Sequence, residues 1–164
     1  MFFLFTLGYI AYFRMDIDMY TYKCKVKKVV DGDTLDVILD LGFNIYHSCR
    51  VRMAGIDTPE SRTRDKEEKA RGMLAKKFLL AWVEDNDTES KKIVIKTYKE
   101  KSKGKFGRVI AEVWINDVNV NEDMIKSHHA VPYSAQNKKE VAKLHLKNRQ
   151  SLIDKGLYEP KEIL

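Results

Sequence analysis

The chain is poor in cysteine and proline and carries no long hydrophobic run. Cys24 and Cys49 are its two cysteines in 164 residues. Two thiols build no disulfide framework, and their spacing matches no zinc-binding pattern. Both fall in segments that read as strands, where buried free thiols are the simplest state. The three prolines and eight glycines are scattered, which excludes a Gly/Pro-rich linker, and neither an internal repeat nor a low-complexity tract is present. The apolar stretch at residues 1–13 precedes Arg14 and is shorter than the ~20 residues needed to cross a bilayer. It also lacks the basic leading region and small-residue cleavage site of a signal peptide. Three readings of it stay open: a degenerate export or anchor segment, a short hydrophobic arm, or a start assigned too early, with Met15 and Met19 as alternative starts. The last reading implies a cytoplasmic protein and the first an exported or anchored one. No stable membrane insertion is expected.

What is present is ordinary apolar content, 44%, and abundant charge, 33%. This is the profile of a soluble globular chain, and the length suits one domain, expected over residues 20–159 with a short tail at 160–164. Nothing in it demands more than a monomer. The formal net charge of +6 favours polyanionic partners, nucleic acid being the commonest.

Residues 22–30 alternate, with Tyr22, Cys24 and Val26 on one side and Lys23, Lys25 and Lys27 on the other. That is a half-buried strand with a basic outer face. Residues 34–41 alternate with Leu35, Val37, Leu39 and Leu41 inward, residues 41–44 read as a turn, and 45–53 form a third strand. On it Arg50 and Arg52 oppose Val51 and Met53. From 66 to 84 the period changes: Ala70, Leu74, Phe78, Ala81 and Trp82 mark the inner stripe of an amphipathic helix. Gly72 inside it costs ~1 kcal/mol against Ala. Residues 93–98 and 109–115 are two further strands, followed by a turn at Asn116-Asp117, a short helix at 121–128 and a last helix at 137–155. The last helix carries an inner stripe of Val141, Leu144, Asn148 and Leu152, with Gly156 as its cap. The predicted fold is α+β, mainly β: a five-stranded Greek-key barrel of the OB type with about three helices. An α+β sandwich is the main rival.

Hard oxygen ligands cluster in two places, Asp31-Gly32-Asp33-Thr34 and Asp57-Thr58-Pro59-Glu60. A hard divalent cation takes carboxylate, carbonyl and water oxygens. If the strands bearing them are neighbours, Asp33 and Asp57 converge at one end of the barrel. Pro59 holds Thr58 extended, which directs its carbonyl. Either piece alone also reads as a plain turn. Arg52 lies five residues before Asp57, and Lys105-Phe106-Gly107-Arg108 opens the fifth strand. Two guanidinium groups that stay charged at any working pH form a clamp suited to a dianionic phosphorus centre.

These motifs, in this order and spacing, resemble the thermonuclease (staphylococcal nuclease) family, and the likeness runs through Val120-Asn121-Glu122 to Leu157-Tyr158. The resemblance implies a Ca²⁺-dependent endonuclease. It would hydrolyse DNA and RNA with low sequence specificity, by in-line attack of water on phosphorus, leaving 3′-phosphate ends. One Ca²⁺ would be held by Asp33, Asp57 and the Thr58 carbonyl. Glu60 would act as general base or orient the water, while Arg52 and Arg108 would stabilise the transition state. Lys105 and Tyr133 would contact substrate. Phe106 stands where the family often has tyrosine, which removes one phosphate contact. The alternative is a nuclease-like OB module that binds nucleic acid without cutting it, but such a module would be expected to lose one of Asp33, Arg52, Asp57, Glu60 and Arg108, and all five are present. Lys23, Lys25, Lys27 and Lys28 are expected to add salt-dependent affinity. His128-His129 reads as a surface helix end, and His47 and His145 have no evident role.

Overall fold

In the computed structural model the described residues are 20–84, 92–97 and 107–160. The apolar segment at 1–13, Lys105 and most of the tail lie outside them. The described elements are β1 (Thr21–Asp31), β2 (Thr34–Asp40), β3 (Tyr46–Met53), β4 (Ile56–Asp57), α1 (Lys66–Glu84), β5 (Ile93–Thr97), β6 (Val109–Ile115), β7 (Val118–Asn119), α2 (Val120–Lys126), β8 (Val131–Pro132) and α3 (Lys138–Asp154).

The sheet runs β3-β2-β1-β5-β6, and β3 then pairs with β6 to close it into a five-stranded barrel. Neighbours are antiparallel except at the closure, where Val51, Arg52 and Met53 pair in parallel with Val109, Ile110 and Ala111. This is the expected OB-type Greek-key barrel with three helices. Three two-residue strands were not predicted: β7 extends the sheet beyond β6, and β4 pairs with β8 outside it. A run of two residues is too short to carry a period.

Local chemistry sets the turns. Gly32-Asp33 joins β1 to β2 so tightly that Asp31 faces Thr34. The second hairpin places Gly42, Phe43 and Asn44 at positive φ, and Asn116-Asp117 does the same before β7, as mirror-image hairpin turns require. β1 carries a register shift between Val26 and Lys28, an extra residue that bends the strand.

Leu35, Val37, Val51, Met53, Ile95, Ala111, Val113 and Ile115 fill the barrel, and Ala75 and Leu79 of α1 with Val120 and Met124 of α2 extend the same core. Asn121 is buried at the junction, where its amide donates to Ala54 O at 2.8 Å and accepts from Val113 N at 2.9 Å. Asn137 caps α3 by accepting from Lys139 N. Gly156, at φ +66, ends α3 as expected: Gly156 N donates to Ile153 O and Leu157 N to Leu152 O, the paired bonds of a Schellman stop.

Several inward assignments need correction. Leu41 is exposed, because β2 ends at Asp40 and the turn carries the next residue outward. In α1 the buried residues are Arg71, Gly72, Ala75 and Leu79, whereas Ala70 and Ala81 face solvent. Alanine is apolar enough to extend a stripe on paper yet too small to fix its phase. In α3, His145 rather than Leu144 lies between Val141 and Asn148 on the inner face. Cys24 and Cys49 are free but half-buried; burial pushes the Cys24 thiol up to about 12, with Cys49 adding to the effect, so Cys24 stays a thiol. His129 is buried beneath Phe78, with ring centroids 4.4 Å apart, and is not a surface residue.

Candidate active site

The β1–β2 turn delivers Asp33 to the mouth of the barrel, and β3 delivers Arg52 beside it, opposite Thr34. The backbone fixes this junction: Met53 N donates to Asp33 O at 2.9 Å. Arg52 then spans two carboxylates. Its Nη1 pairs with Asp33 Oδ2, and its Nη2 donates to Asp57 Oδ1 at 2.9 Å and to the Ile56 carbonyl at 3.3 Å. Two acids 24 residues apart in the chain therefore meet on one planar cation, a geometry suited to guanidinium and not to ammonium.

Asp33 is 4% exposed and densely bonded. Oδ2 accepts from Thr58 N at 3.2 Å and Thr58 Oγ1 at 3.0 Å, and Oδ1 accepts from Thr34 Oγ1 at 2.9 Å. Thr58 is buried behind it. Burial raises the Asp57 carboxyl, but the His145 hydrogen bond and the Arg52 charge outweigh it and hold Asp57 below the usual carboxylate range. Burial pulls the Arg52 guanidinium down, with Asp57 opposing that shift; an arginine keeps its charge regardless.

Asp33, Arg52, Asp57, Glu60, Arg108 and Tyr133 all line one open cleft of about 1070 Å³. Every expected site residue within the described range reaches it, except that Thr58 lies just beneath, on Asp33. Arg108 arrives from across the barrel closure, immediately before β6. Tyr133 follows β8, and its backbone N–H donates to Gly55 O at 2.8 Å, which anchors the segment next to the Asp57 loop. The position of Glu60 depends on α1. A Cβ at Gly72 would stand 2.6 Å from the Glu60 carbonyl carbon and oxygen and from the Pro59 oxygen. The glycine that weakens the helix is thus the point where the Glu60 loop rests on it. Gly32 is similarly close-packed, 2.9 Å from Ala75 Cβ and Thr58 Oγ1 by the same measure.

His145 was missed. From α3 its Nε2 contacts Asp57 Oδ2 at 3.0 Å. One turn on, Asn148 donates to Ala130 O at 2.8 Å. The available signal was a polar residue at a helix position whose spacing matches the inner stripe. Lys27, Lys28, Arg50 and Arg62 also line the cleft.

As donors, Asp33, Asp57 and a Thr58 carbonyl are the oxygens a calcium ion takes, and both carboxylates reach the same Arg52 guanidinium. They fit that ion in type. No group of three or more His, Cys, Asp or Glu suited to a metal is found among the described residues, so backbone, water and substrate oxygens would have to complete its shell.

Comparison with known proteins agrees with this architecture. Residues 50–153 match the model of the staphylococcal nuclease homologues. The chain is 30% identical over 101 residues to a thermonuclease of Staphylococcus intermedius, covering 62% of this chain and 54% of that one. It is 30% identical over 122 residues to an uncharacterised protein of Bacillus anthracis, covering 74% and 52%. It is also 29% identical over 128 residues to one of Methanocaldococcus jannaschii, covering 68% and 59%. The chain spans a little over half the length of these relatives. A match across more than half of the chain, on a closed barrel whose mouth gathers those acids and arginines, leads to one conclusion: the chain belongs to the staphylococcal nuclease family.

Proposed function

We propose that the protein is a Ca²⁺-dependent nuclease that hydrolyses phosphodiester bonds of DNA and RNA with low sequence specificity. The observation that carries this reading is the Arg52 guanidinium bridging Asp33 and Asp57 in a cleft that Glu60 and Arg108 also line.

Asp33, Asp57 and the Thr58 carbonyl would hold the ion, which when bound supplies Lewis-acid polarisation and a template for the phosphate. Glu60 orients the attacking water and accepts its proton. The water oxygen attacks phosphorus in line, the bond to the 5′ oxygen breaks, that oxygen takes a proton from solvent to become a hydroxyl, and the 3′-phosphate remains on the upstream fragment. Charge on the non-bridging oxygens rises toward a dianion. Arg52 donates to it from β3, and Arg108 from the start of the neighbouring strand β6, where it also steadies the leaving oxygen. Fixed donors aimed at developing charge supply most of the acceleration. Tyr133 and Lys105 are the proposed substrate contacts, and Tyr133 offers a partly exposed ring for stacking against a base.

The test is cleavage of single-stranded DNA in millimolar Ca²⁺ and in chelator. The wild type should cut only with Ca²⁺. Arg52→Ala and Glu60→Gln should each lose more than ~10²-fold in rate while DNA binding falls far less. Full activity in either variant would refute the assigned roles. Binding without cleavage in the wild type would make the protein a nucleic-acid-binding module.

A further inference from the structure

We infer that the outer face of β1, β2 and β3 is a second phosphate-binding subsite, which holds a single polynucleotide strand beyond the bond being cut. This rests on the nuclease reading for its ligand class, but on different residues.

The bulge in β1 creates the subsite. Before it, Tyr22, Cys24 and Val26 alternate with exposed lysines; after it, Val29 is buried. One extra residue has shifted the alternation, so Lys27 and Lys28, adjacent in sequence, are both exposed. An unbroken strand would have turned one of them inward. Lys28 then pairs across β2 at Asp36, and Asp36 across β3 at Arg50. This row lies two residues along the same face from the Thr34–Arg52 pair, a step of about 6.8 Å. Cationic groups thus repeat along the face by one pleat, beginning at the site.

Asp36 does not cancel this row. It binds Arg50 through Nε at 2.7 Å and Nη2 at 2.9 Å, and the Arg50 and Lys charges hold its carboxyl below the usual range. A guanidinium carries five N–H donors, so Asp36 fixes the orientation of Arg50 and leaves donors over. Lys27, Lys28, Arg50 and Arg62 share the cleft wall with Arg52, whereas Lys23 and Lys25 are not among its lining. Of the acids lining the cleft, Asp36 is paired with Arg50 and Asp33 and Asp57 with Arg52, while Asp31 accepts from Gly32 N. The cleft, about 1070 Å³, slightly exceeds the roughly 300–1,000 Å³ usual for small-ligand sites. An open cleft with cationic rows spaced one pleat apart along its wall suits consecutive phosphates of one strand rather than a mononucleotide.

The test is equilibrium binding in chelator, read by fluorescence anisotropy, of a short single-stranded oligothymidylate and of a dinucleotide. Lys27→Ala/Lys28→Ala is compared with Lys23→Ala/Lys25→Ala, an equal loss of charge outside the cleft. The first variant should bind the oligonucleotide roughly 5–10-fold more weakly, with the log–log salt slope reduced by about 0.7 per lost phosphate contact, and the dinucleotide unchanged. The second should bind both as the wild type does. Equal losses in the two variants would mean diffuse attraction and overturn the subsite. A loss on the dinucleotide too, or a wild type that binds the oligonucleotide no better than the dinucleotide, would overturn it as well. A wild type that binds as expected yet fails to cut with Ca²⁺ would sink the nuclease reading and leave the subsite standing.

Discussion

At the residue scale, the candidate site depends on pairing groups that would be costly alone. Asp33 is nearly inaccessible, and four donors surround it: Thr34, Thr58 twice, and Arg52. Paired burial of this kind specifies one arrangement more than it adds stability. His129 is the opposite case. It is buried beneath Phe78, its Nδ1 has no hydrogen-bond partner among the described residues, and burial, with the neighbouring His128 charge, lowers its pKa from 6.5 to about 4. The unfolded chain therefore takes up this proton first. Its contribution to stability is complete above pH 6.5 and is lost as pH falls from there toward 4. Urea midpoints measured across that range should fall for the wild type and fall less for His129→Leu. Identical slopes would mean that His129 is not held neutral.

At the scale of elements, α1 and α3 position the site through contacts that sequence pattern does not report. Gly→Ala inside a helix ordinarily stabilises by about 0.5–1 kcal/mol. Gly72→Ala should instead destabilise by roughly 1–3 kcal/mol, because the new methyl meets the Pro59-Glu60 backbone. It should also lower kcat as the Glu60 loop shifts. Urea unfolding alongside steady-state kinetics checks both, and a stabilised, fully active variant would show that the loop does not rest on α1. The barrel strands were legible because alternation over five or more residues is hard to mistake, and β6 matches its expected limits, Val109–Ile115. The phase of α1 was not legible, since its inner face is built on Gly72 and Ala75 rather than on large side chains. That Arg52 and Asp57 belong to one cluster could be read from motif spacing. His145 could not, because its contact depends on where α3 lies against the Asp57 loop, about ninety positions away in the chain. The bulge at Lys27 left no mark beyond two adjacent lysines.

For the whole molecule, stability comes from one barrel core and its helices, without a disulfide. A ligand that binds only the folded state adds RT ln(1 + [L]/Kd), about 2.7 kcal/mol at a hundredfold excess over Kd. For a chain of this size each kcal/mol raises Tm by about 2–4 °C. Millimolar Ca²⁺ should therefore raise the melting temperature by several degrees, chelator should reverse it, and Asp57→Asn should abolish it. A calcium-independent Tm in the wild type would remove Asp33 and Asp57 from the proposed ion site.

The parallel pairing of β3 with β6 has a consequence for synthesis. Arg52 lies on β3 and Arg108 immediately before β6, the two strands that meet where the barrel shuts, and β6 is the last of the five in chain order. A nascent or truncated chain lacking it has one jaw of the proposed clamp and no seam to hold it. On the proposed function, such a fragment should bind nucleic acid weakly and fail to cut it.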